Sequence, residues 1–213
     1  PRGRLGLFQT DVSRLIRNDP VKRFAIALAA TVLIITPALA QKSVRSLPQP
    51  VVAAPSTPAP RDVAYPGTLK LEVDATDLDR RIFSIRQSIP VSSTGPMTLL
   101  YSQWIMGNHA PRGPIYNYSG LKMTVGGKPL AWTRDPGDVY AFHVDVPQGA
   151  KTIEVEAQFL SAIEAAQGPI MMTPEMLKLN WYIAALYPAG HYARKVNFDV
   201  SVKLPQGWDY ATA

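Results

Sequence analysis

From residue 69 onward, apolar and polar residues alternate with a period of two. Leu69, Leu71 and Val73 are separated by Lys70, Glu72 and Asp74, the pattern of a strand with one face buried. Residues 81–91 (RIFSIRQSIPV) and 97–104 (MTLLYSQW) predict two more strands, each bounded by Pro, Gly or Ser. Leu121, Met123 and Val125 lead into Gly126-Gly127, a hairpin signal, and Leu130 and Trp132 predict its return strand. Asp135-Pro136-Gly137-Asp138 predicts a turn. Tyr140, Phe142, Val144 and Val146 then share one face, with Ala141, His143 and Asp145 on the other. After Pro147-Gln148-Gly149-Ala150, residues 152–159 alternate most regularly of all. The alternation fails over 160–176, which holds Gly168-Pro169 and Pro174 and predicts a long loop with one helical turn at 174–177. Strand character returns at 179–187 and at 196–204, where Val196, Phe198, Val200, Val202 and Leu204 share a face.

Eight or nine short strands with no intervening helices predict an all-β, antiparallel β-sandwich over residues 67–213. The chain before it has a different character. Lys22 and Arg23 precede an uncharged apolar stretch, Phe24 to Ala40, which contains Pro37 and ends in Ala38-Leu39-Ala40, so residues 22–40 are expected to be a cleaved secretory signal. The expectation is therefore an exported, periplasmic protein that meets the membrane only in transit; the alternative is an inner-membrane anchor formed by an uncleaved signal. Residues 1–21 form a leader of doubtful status. Residues 41–66 carry five prolines between Pro48 and Pro60, the composition of an extended, semi-rigid linker.

Composition narrows the function classes. A hydrophobic fraction of 46% in 213 residues suits a folded domain and excludes wholesale disorder. With no Cys, neither disulfides nor thiolate chemistry is available. The net charge of +6 is concentrated upstream: the first forty positions hold six basic and two acidic residues, against 16 and 14 in the remainder. A nearly balanced body is a poor footprint for nucleic acid, and no such partner is expected.

No H-E-x-x-H, G-x-S-x-G or G-x-x-x-x-G-K-[ST] motif occurs, so neither a catalytic residue nor a metal site is expected within these 213 residues. His109, His143 and His191 lie 34 and 48 residues apart, with His143 expected to face solvent or a carboxylate. Asp77 and Asp79, or Glu154 and Glu156, are simply solvated turn and strand positions. The segment Trp104 to Pro114 (WIMGNHAPRGP) is the richest in chemistry. It places Trp104, Asn108, His109 and Arg112 directly after a strand, where Arg112 can pair with a carboxylate and Trp104 can supply an apolar wall. The alternative is that Trp104 belongs to the core. Tyr182, Tyr187, His191 and Tyr192 form a second aromatic group, and stacked sugars are one conceivable ligand for such surfaces.

The residues also resemble the amino-terminal domain of the M61, or glycyl aminopeptidase, family of metallopeptidases. The resemblance rests on Leu71-Glu72-Val73-Asp74 with Arg80-Arg81-Ile82-Phe83, Trp104 to Pro114, Gly127-Lys128-Pro129-Leu130, Leu186-Tyr187-Pro188-Ala189-Gly190-His191, and Leu204-Pro205-Gln206-Gly207-Trp208 with Ala211-Thr212-Ala213, in that order. The commoner family pattern around the tryptophan is Pro-x-Trp-x-Pro-Gly, and Ser102 and Met106 stand at its proline positions. The resemblance implies a parent that hydrolyses peptides near a free amino terminus, with zinc in a thermolysin-like catalytic domain expected after residue 213. No cofactor is then expected in this chain, whose partners would be that domain and a peptide substrate. Its contact candidates are Trp104, Asn108, His109, Arg112 and His191. That relationship predicts an apolar surface left bare on the domain. The competing expectation is a free-standing periplasmic module that binds protein or glycan.

Overall fold

Inward-facing Leu, Ile, Val and Phe at every second position require two sheets packed face to face, and the computed structural model has that arrangement. It describes residues 57–212; the expected leader, signal and most of the linker lie outside the described residues. One sheet has six strands, in the order β10 (Asn197–Lys203), β1 (Thr68–Asp77), β2 (Ile82–Pro90), β8 (Thr152–Leu160), β4 (Tyr118–Val125) and β5 (Lys128–Pro129). The other has four: β6 (Trp132–Arg134), β7 (Ala141–Val146), β3 (Gly95–Tyr101) and β9 (Leu186–Pro188). Leu71, Val73, Phe83, Ile85, Ile153, Val155 and Phe159 from the large sheet meet Leu99, Tyr101, Phe142 and Leu186 from the small one in a single core. On the outer face the register places Glu72 beside Arg86, Arg86 beside Glu156 and Glu156 beside Lys122, a row of alternating charge suited to water.

Four expectations are corrected. The pairing is not wholly antiparallel: β10 runs parallel to β1, because the chain crosses from the small sheet to reach the edge of the large one. The return strand after Gly126-Gly127 is divided between sheets. Only Lys128–Pro129 pairs with β4; Pro129 has no amide to extend the ladder, Leu130 bonds back to the Met123 carbonyl (2.8 Å), and Trp132–Arg134 pairs with β7 instead. Residues 174–177 form no helical turn. Thr173 closes a tight turn there, donating its N–H to the Met176 carbonyl (2.8 Å) and accepting the Met176 N–H on its hydroxyl (3.1 Å). Finally, the strand expected over 179–187 is a single 3-10 turn, Trp181–Ile183, followed by the short β9.

Residues 61–65, on the linker side of the expected boundary, pack on the domain. Arg61 N–H bonds the Gly190 carbonyl (3.1 Å), Tyr65 N–H bonds the Lys195 carbonyl (2.8 Å), and the Tyr65 ring is buried.

Candidate functional site

The 102–114 loop leaves β3 and is pinched shut at its base. Gly113 N–H bonds the Gln103 carbonyl (3.0 Å), and Gly113 packs so tightly that a Cβ there would sit 1.9 Å from the Ser102 carbonyl oxygen. A second tie comes from the neighbouring hairpin. Asp135 accepts the N–H groups of Gly137 and Asp138 (2.8 Å each), and Asp138 accepts the N–H of Tyr140 (3.0 Å). The Tyr140 hydroxyl thereby reaches the Pro111 and Gly113 carbonyls (3.3 and 3.2 Å). Asp135 is itself held by His143 Nε2 (2.8 Å), whose Nδ1 meets the Thr98 hydroxyl (3.0 Å). His143 thus faces a carboxylate, and it takes part in positioning the turn.

Beyond this neck the tip is open to solvent. Trp104 is 64% exposed, so the core alternative is overturned, and Met106 is exposed almost completely. Asn108, His109 and Arg112 are exposed as well, and among the described residues their side chains have no hydrogen-bond or ion-pair partner. The tip thus presents an apolar ring flanked by unengaged polar and cationic groups on a braced loop.

Beneath it lies a tyrosine cluster. Tyr101 and Tyr118 pack with their rings tilted at 54° and 5.2 Å between centroids, and burial pushes both phenols far above their usual range; the neighbouring tyrosines add to the shift at Tyr101.

His191 is not brought to this loop. β9 runs antiparallel to β3, so the chain beyond Pro188 heads towards the start of β3, away from the loop. There His191 donates from Nδ1 to the Val63 carbonyl (2.9 Å) and stands edge-on to Tyr65, which ties down the entering segment. Sequence inspection missed Gly113, Tyr140 and Asp135 as supports of the loop. The turn signal at 135–138 was legible; its reach to Pro111 was not.

A second surface stands out. Val200, Val202, Met176, Trp181 and Tyr210 are all exposed apolar or aromatic residues. A groove of about 960 Å³ runs between residues 175–182 and 204–212.

The family model of the peptidase M61 N-terminal domain matches residues 70–213. The chain belongs to this family. The M61 N-terminal domain therefore accounts for essentially the whole described sandwich. Among solved structures, it is similar to an aminopeptidase N family protein from Idiomarina loihiensis, with 13% identity and a TM-score of 0.50 over 65% of this chain. At that identity the likeness concerns the fold. The M61 N-terminal domain chain spans 22% of that protein. No curated protein matches it.

Proposed function

We propose that this chain is the non-catalytic N-terminal domain of an exported zinc aminopeptidase, packing on the catalytic domain of the same polypeptide and lending the 102–114 loop to the wall of its substrate cleft. The family match supports the peptidase association. The observation that carries the cleft role is the exposed Trp104 on a loop whose neck is locked by Gly113 and Tyr140. In this role Trp104 packs against a substrate side chain, and Arg112 pairs with a peptide carboxylate. Asn108 and His109 offer further polar contacts along the same edge.

Among the described residues no three side chains of the metal-ligating types converge. Zinc belongs to the following thermolysin-like domain in this proposal. Export rests on residues 22–40; among the described residues no helix is long and apolar enough to cross a membrane. The bare apolar face at β10 supports a domain whose edge another protein surface covers.

The test is to purify the full-length polypeptide carrying this domain and assay hydrolysis of Gly and Ala aminopeptidase substrates. Activity abolished by a chelator and restored by zinc is expected. A full-length polypeptide without aminopeptidase activity in zinc would overturn the proposal in favour of the binding module.

A further inference from the structure

Register makes the second surface unusual. Val200 lies beside Leu71 and Val202 beside Val73, so all four belong to the inward face of the large sheet. Leu71 and Val73 are buried, whereas Val200 and Val202 are 39% and 36% exposed, because the four-stranded sheet does not extend under this edge. The bare column runs into the groove, where Met176 (63% exposed) and Trp181 stand on one wall and Trp208 and Tyr210 (77% exposed) on the other.

We propose that the inner face of β10 and this groove are the surface on which the following domain of the same polypeptide docks; the inference rests on the reading of the chain as an N-terminal peptidase domain. Residues 204–212, which supply one wall, lie at the C-terminal side of the region that the family model matches. A domain that follows is therefore tethered at the groove, where its effective concentration is high. A second copy would have to enter where the continuing polypeptide leaves. The rim suits a protein neighbour: Glu175, Lys178 and Asp209 mix the two signs around an apolar centre, unlike the basic cluster that an anionic lipid surface selects.

Hydroxyl-radical footprinting of the full-length polypeptide tests this, with modification of Met176 and Tyr210 compared with synthetic peptides spanning each residue. Docking predicts that both react at least about tenfold more slowly than in the peptides, approaching buried Met172, since oxidation follows exposure. Reaction within about twofold of the peptides, in a polypeptide whose mass shows a following domain, would overturn the docking face while leaving the peptidase proposal intact. Protection lost on dilution would mean a second copy and would also overturn it. A mass that leaves no room for a further domain would remove both proposals, a result obtained before footprinting begins.

Discussion

The side-chain amide of Gln87 and the main chain of Leu186 exchange two hydrogen bonds across the core, Nε2–H to the Leu186 carbonyl at 2.6 Å and Leu186 N–H to Oε1 at 3.0 Å. Gln87 points inward from β2 of the large sheet and Leu186 opens β9 of the small one, so the pair joins the two layers. Only one orientation of the amide satisfies both partners. Replacing Gln87 with Leu keeps the volume but leaves a buried N–H and C=O unpaired, which should cost about 2–4 kcal/mol. Urea unfolding of the Gln87→Leu variant measures this; an unchanged midpoint would show that the pair does not hold the sheets together.

Two buried tyrosines should respond in opposite directions. The Tyr101 hydroxyl donates to the Ile183 carbonyl (3.0 Å), whereas the buried Tyr118 hydroxyl has no partner among the described residues. Tyr101→Phe orphans a buried carbonyl and should lower stability by about 1–2 kcal/mol; Tyr118→Phe removes an unsatisfied hydroxyl and should leave stability equal or raise it by up to about 1 kcal/mol. Thermal unfolding of the two variants side by side reveals the sign of each.

Acid should weaken the hydrogen bonding of Asp74 on β1, chiefly that from Thr76. The Thr76 hydroxyl beside Asp74, together with Lys203 on the parallel strand, lowers its carboxyl from an ordinary 3.8 to about 2. The unfolded chain therefore takes up this proton first, and the stabilisation present above pH 3.8 is lost as the pH falls through about 2. Asp74 is substantially exposed, so the effect is small. The Asp74→Asn variant should show a shallower decline of stability between pH 4 and 2 than the parent; identical slopes would contradict this assignment.

Gly113 should tolerate no side chain. With the Ser102 carbonyl in the space of a Cβ, Gly113→Ala must spread the neck and break the bond to Gln103, costing about 1–3 kcal/mol. Hydrogen exchange should show that the backbone amide at position 113 exchanges faster in the variant than in the parent. A variant with parental stability and exchange would mean that the neck is not locked.

The strands with regular alternation, such as residues 152–159, were legible because one buried face imposes a period of two. Residues 179–187 have a strand-like composition, yet only Leu186 and Tyr187 among them enter a strand, the short β9. There the backbone is satisfied by side chains distant in sequence, Leu186 by Gln87 and Ile183 by Tyr101, and spacing carries no trace of such partners. The return strand expected through Leu130 and Trp132 is divided, since the transfer of Trp132 to the other sheet goes with its edge-on packing on Phe142 (5.5 Å), a tertiary contact that spacing does not show. At the candidate site, residue types marked Trp104, Asn108, His109 and Arg112. Exposure of Trp104 could not be derived, since a tryptophan after a strand suits a core equally well. The separation of His191 needed the β3–β9 register.

The most direct measurement is the peptide kinetics of Trp104→Ala and Arg112→Ala in the full-length polypeptide. Both side chains are exposed, so neither substitution should lower the melting temperature by more than about 2 °C. If the loop walls the substrate cleft, each variant loses about tenfold or more in kcat/KM on Gly and Ala peptide substrates. Wild-type kcat/KM in both variants would contradict a role for the loop in substrate binding.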